Sequence, residues 1–151
     1  MKTHLTVWGL LTFAILGLSM SGYLTYLSMM PPTSCPVGEF GAFSCNEVIY
    51  SQYARVYGIS VALLGLGWFV VALGLILFAW RDQRLMWAVV AWSILGAAGI
   101  AGFVYTELFL LESICPLCTF AHVIGLAILS LSIVNARHPR SLGANSSRVE
   151  T

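Results

Sequence analysis

The chain has 151 residues, 59% of them hydrophobic and only 9% charged, with a net charge of +1 and a mean hydropathy of +0.89. Soluble domains carry about 25% charged residues, so the composition excludes an ordinary soluble globule and describes one integral membrane domain. The near-zero charge and the lack of a long basic run give no electrostatic footing for nucleic acid.

In chain order, four segments approach the roughly 20 apolar residues that a spanning helix needs. They run over about 5–30, 59–80, 85–105 and 114–134. Each must be helical, because lipid offers an open backbone no hydrogen-bond partner. The predicted class is therefore an all-α, four-helix membrane bundle over residues 1–136, followed by a polar tail, 137–151. Lys2 and the small-residue stretch Ser19-Met20-Ser21-Gly22 resemble parts of a signal peptide. The apolar run continues past that stretch, however, whereas a signal core is about 7–15 residues, so the segment reads as a retained span.

Pro31-Pro32 ends the first helix, since proline lacks the amide donor and clashes with the preceding turn. The loop to about Gly58 begins turn-rich, Thr33-Ser34-Cys35-Pro36-Val37-Gly38-Glu39. Ser44-Cys45-Asn46-Glu47 then has the form of a capping box, in which Ser44 caps the Glu47 amide and Glu47 reaches back. It predicts a short helix carrying Val48, Ile49, Gln52, Tyr53 and Val56, ended by Gly58, lying as a lid on the outer face of the bundle. Spans two and three hold Gly65, Gly67, Gly74, Gly96, Gly99 and Gly102, small residues that let helices approach closely. The last span opens on Ser113, a candidate cap, followed by Cys115-Pro116-Leu117-Cys118.

Charge orients the bundle. Lys2, Arg81, Arg84, Arg137, Arg140 and Arg148, six of the seven basic residues, share one side of a four-span arrangement, and Arg55 alone takes the other. The positive-inside rule puts both termini in the cytoplasm. All four cysteines then reach the outer side, periplasmic or extracellular, where disulfides persist.

A Cys-x-x-Cys pair interconverts between dithiol and disulfide, and its first thiol is commonly acidified. Pro116 is tolerated in the first helical turn. The helix dipole there favours negative charge, which predicts a lowered pKa for Cys115. Cys118 lies one turn deeper, about 4.5 Å along the axis, within reach of a lipid-soluble quinone. Spacing alone leaves three readings: a redox-active pair, a structural pair, or part of a zinc site. The ten-residue gap from Cys35 to Cys45 speaks against zinc, which favours two closely spaced motifs. Cys35 and Cys45 alone would read as a loop staple, but on the same side as a Cys-x-x-Cys they suggest a relay.

Cys45-Asn46-Glu47-Val48-Ile49-Tyr50-Ser51, then Gly58 to Gly65 opening a span, then Cys115-Pro116-Leu117-Cys118 opening the last, resembles the vitamin K epoxide reductase family, and its bacterial members most. The resemblance runs from the first span through Val134. It implies a four-helix bundle around a quinone, ubiquinone or menaquinone. Cys118 would reduce the quinone, Cys115 would exchange with the loop, Cys45 would be the inner shuttle and Cys35 the outer one. Ser51 would match the family's loop serine beside the active cysteines. Two positions depart from the family. His122 stands where an aromatic hydroxyl often faces the quinone, and an imidazole can also donate a hydrogen bond or pass a proton. Val61 stands where vertebrate members place an asparagine, which leans away from an epoxide substrate.

The function expected from these features is a quinone-dependent thiol oxidase of the cell (inner) membrane. It would reoxidise a thioredoxin-fold, DsbA-like periplasmic protein. Many homologues carry a fused thioredoxin-like domain, and the short tail here implies a separate partner. One alternative is a reductase of quinone or quinone epoxide drawing on external thiols. The other is a tetraspan structural protein with stapled loops, and with no enzymatic role.

Overall fold

The computed structural model describes residues 2–31 and 43–137. Cys35, Arg140 and Arg148 lie outside the described residues. The elements in order are α1 (Lys2–Ser28), α2 (Cys45–Ile49), β1 (Arg55–Val56), β2 (Ile59–Ser60), α3 (Val61–Arg81), α4 (Met86–Tyr105) and α5 (Pro116–Arg137). Four helices are long and apolar enough to cross a membrane, as the hydropathy of the sequence predicts.

Several hydroxyl side chains inside these helices satisfy themselves locally. Thr12, Ser19, Thr25 and Ser130 each donate to the carbonyl four residues earlier, the arrangement that lets a polar side chain sit in an apolar helix. Large apolar side chains such as Ile15, Val70, Phe78, Ile94 and Val123 point outwards and stay exposed. A bundle apolar inside and out is the pattern expected where the surrounding solvent is lipid.

α1 packs on both α3 and α5, α4 packs on α5, and α3 touches α4 least among these neighbours. The bundle therefore runs α3–α1–α5–α4 and closes on a loose α3–α4 seam. Its core gathers at the end that carries the Arg81–Arg84 turn. There Leu10 and Ala14 of α1, Ile76 of α3, Val89 of α4 and Ile128 of α5 are fully enclosed. In the turn itself, Asp82 accepts the Arg84 amide at 3.0 Å. Gly17 permits a close approach: a Cβ there would sit 2.1–2.6 Å from the Phe69 ring.

The opposite end departs from the expected short lid helix running to Gly58. α2 stops after five residues, a 3-10 turn follows over Gln52–Ala54, and β1 and β2 then form an antiparallel hairpin. Gly58 does not end a helix. It shares the hairpin turn with Tyr57, at φ +83° and +51° respectively, the left-handed pair that a two-residue turn needs to match strand twist. The lid is tied down by Tyr50, whose hydroxyl lies 2.7 Å from the Leu27 carbonyl and 2.6 Å from that of Met30. Those carbonyls belong to the end of α1, where the helix leaves acceptors open.

Candidate functional site

The last span begins at Pro116. Cys115, rather than Ser113, is the cap: its carbonyl accepts the Thr119 amide at 2.9 Å, and its sulfur accepts the Cys118 amide at 3.2 Å. Pro116 follows at the first helical position, where a missing donor costs nothing. Cys115 is fully buried. Its thiol is pushed above the ordinary range, first by the hydrogen bond it shares with the Cys118 thiol and then by burial. The Cys118 amide and the Cys45 thiol offset this only in part. The expected acidification of Cys115 is thus reversed in the dithiol, because the dipole acts on a sulfur that has lost its water.

Cys45 opens α2 and is as enclosed as Cys115, at 1% exposure. Their Sγ atoms lie 3.4 Å apart, although the residues are 70 positions apart in the chain. Cys45, Val48 and Cys115 form a small apolar cluster of their own, with Leu111 and Leu117 against it. Three bonds bring the lid to this point. Ser44 caps the Glu47 amide at 3.2 Å, as the capping box predicts. The Ser44 amide donates to the Ile114 carbonyl at 3.2 Å. Glu47 does not reach back to its own helix; its carboxylate accepts the Ser113 hydroxyl instead.

Beneath the lid lies a cavity of about 330 Å³, within the size range of small-molecule sites. α5 faces it with Cys118, Ala121, His122 and Gly125, a spacing that marks one helix face. α3 contributes Val61, Gly65, Trp68 and Phe69, α4 contributes Gly96, Gly99 and Phe103, and the lid contributes Val48, Ile49 and Ala54. The His122 ring lies 6.1 Å from that of Phe103. The cavity is apolar apart from a few groups, chiefly Cys118, His122, Ser21 and Ser60. Such a lining suits a flat apolar ring with one or two polar handles.

Ser51 does not line this cavity. Its hydroxyl donates to the Val48 carbonyl at 3.0 Å and accepts the Ala54 amide at 3.1 Å, so it shapes the turn that carries Ala54 to the cavity wall. The structure therefore brings Cys45 against Cys115 and puts Cys118 and His122 on the cavity wall, while Ser51 stays in the lid turn. The sequence reading missed the Trp68–Trp92 pair, whose indoles each donate to the other's carbonyl, at 3.3 and 3.1 Å. It also missed the Ser113–Glu47 bond and the Tyr50 anchor. Only the hairpin had a local signal, a glycine at a turn position between Val56 and Ile59.

The chain matches the family described as "Vitamin K epoxide reductase family" over residues 8–133. No curated protein matches it.

Proposed function

The chain belongs to the vitamin K epoxide reductase family, a family of membrane oxidoreductases acting on thiol and disulfide groups, and on that premise we propose that it is a quinone-dependent thiol oxidase. It reoxidises a thioredoxin-fold, DsbA-like protein outside the cytoplasmic membrane, with both termini inside and the cysteines outside. The observation that carries this reading is the line of sulfurs. Cys45 stands 3.4 Å from Cys115, the Cys115 sulfur accepts the Cys118 amide, and Cys118 lines the apolar cavity.

In the proposed sequence, a partner thiolate attacks the Cys35–Cys45 disulfide at Cys35 and leaves as a disulfide, with both loop thiols reduced. Cys45 then attacks the Cys115 sulfur of a Cys115–Cys118 disulfide. The Cys45–Cys115 bond forms, the Cys115–Cys118 bond breaks, and Cys118 departs as a thiolate facing the cavity. Cys35 next attacks Cys45, which releases Cys115 and completes a two-electron transfer from loop to core. A ubiquinone or menaquinone, when bound, supplies a two-electron, two-proton acceptor. Cys118 and His122 are the residues that would hold its ring, with Ser51 setting the lid turn above it. His122 is placed to hold or pass a proton on the cavity side.

The test is quinone bleaching by the reduced protein in detergent, beside a Cys118→Ser variant. One equivalent or more of quinone is consumed by the native protein and none by the variant. A folded, fully reduced protein that bleaches neither ubiquinone nor menaquinone analogues would overturn the reading.

A further inference from the structure

Cys45 and Cys115 sit on separate segments, and nothing covalent among the described residues holds them together. Thiol–disulfide exchange needs the attacking sulfur held in line and close. An S–S bond is about 2.05 Å, and the present separation is 3.4 Å. The holding elements can be named. On the lid side, Ser44 fixes the first turn of α2 by capping Glu47. On the core side, Ser113 is 5% exposed and is gripped on two sides. Its amide donates to the Glu107 carbonyl at 3.1 Å, inside a π-helical turn over Thr106–Leu110. Its hydroxyl donates to Glu47. The residue before it, Glu112, adopts φ +50°, a left-handed conformation that a non-glycine residue takes only where its surroundings enforce it.

We propose that the Ser113–Glu47 hydrogen bond is a positioning clasp that sets the effective concentration of Cys45 at Cys115. Each clasp residue is two positions from its cysteine on the same segment, Glu47 after Cys45 and Ser113 before Cys115, so the bond ties the two segments close to both sulfurs. A neighbouring backbone bond, Ser44 amide to Ile114 carbonyl, sets the register, and the clasp sets the distance. Neither Ser113 nor Glu47 touches the cavity, so their effect falls on loop-to-core exchange and not on the chemistry at Cys118. The proposal rests on the relay reading for its purpose, but the measurement that decides it, a glutathione equilibrium, does not involve quinone.

In the Cys35→Ser/Cys118→Ser protein, only Cys45 and Cys115 remain. In glutathione buffers, one oxidised glutathione and the two protein thiols exchange with the Cys45–Cys115 disulfide and two reduced glutathiones. The equilibrium constant of that reaction is the effective concentration. Ser113→Ala and Glu47→Ala each lower it about tenfold, equal to about 1.4 kcal/mol. Ser113→Thr still donates, Glu47→Gln still accepts, and both stay within about twofold of the parent. In the otherwise native chain, single-turnover quinone bleaching by the prereduced core pair is unchanged by Ser113→Ala. Equal constants in all proteins overturn the clasp, as does an equal fall in all four variants, which would reflect packing alone. Loss of quinone bleaching in the native chain, with the glutathione series as expected, would instead overturn the function and leave the clasp standing.

Discussion

In the reduced protein, Cys118 and burial push the Cys115 thiol above its ordinary range, and that bears on its chemistry. A buried thiol shifted in that direction is a poor nucleophile, since the thiolate is the attacking form. It is better suited to being attacked, as the outer sulfur of a disulfide. We expect iodoacetamide to label Cys115 of the folded protein at least tenfold more slowly than in the unfolded chain at pH 8, read by peptide mass spectrometry. Between pH 7 and 9 the unfolded thiol accelerates steeply, as its pKa near 8.5 requires, while the folded one stays flat. Stability follows the same shift. Below about pH 8.5 both states keep the proton; above it only the unfolded chain releases one. The reduced protein therefore loses stability as pH climbs past about 9, measurable by thermal melts across that range. His122 gives a second residue-scale outcome. His122→Phe keeps an aromatic ring at the cavity but removes its proton-carrying nitrogens, and quinone bleaching should slow about a hundredfold with Cys118 still reactive. The facing of Cys118 and His122 was legible from the sequence, because helical periodicity alone puts positions four apart on one face. The state of Cys115 was not, because it depends on how the Cys118 thiol is turned towards it and on burial, neither of which a local pattern encodes.

Among the elements, α3 and α4 are joined by the Trp68–Trp92 pair, with rings stacked 6.5 Å apart and two reciprocal hydrogen bonds. Gly96 makes room for it: a Cβ there would lie 2.5 Å from two atoms of the Trp68 ring. The ring is held by its own hydrogen bond and cannot swing aside freely. Gly96→Ala should therefore cost about 1–3 kcal/mol, the range for overpacking, and shift tryptophan emission. Gly102→Ala, with nothing within 4 Å of its Cβ, should be neutral or stabilising in the same melts. Glycine richness in spans two and three thus has two origins, and composition could not separate them. The four spans were readable in the sequence because hydrophobic length is a one-dimensional property. The lid was half readable. Its capping serine is a local signal, whereas Tyr50 on Leu27, across 23 residues, and Ser113 on Glu47, across 66 residues, are pairings that only the folded chain creates.

At the scale of the molecule, the protein is divided end to end. Packing is tight beside the Arg81–Arg84 turn, and the cavity occupies the half nearer the lid, beside Cys118. A rigid base and a hollow outer half suit a site that must admit a ligand without loosening the fold. Of the neighbouring helix pairs, α3 and α4 pack least against each other, with the Trp68–Trp92 bonds bridging them beside the cavity; in the proposed reaction we take this seam as the route of the quinone from the lipid. A reactant entering there never crosses water. Its supply is governed by crowding within a two-dimensional film, so the meaningful dose is molecules per lipid and not molecules per litre. Diluting proteoliposomes with buffer should leave turnover unchanged, whereas fusing them with empty vesicles should lower it in proportion to the added lipid until the seam is saturated. On the proposed quinone chemistry, the rate would become a readout of how full the local carrier pool is.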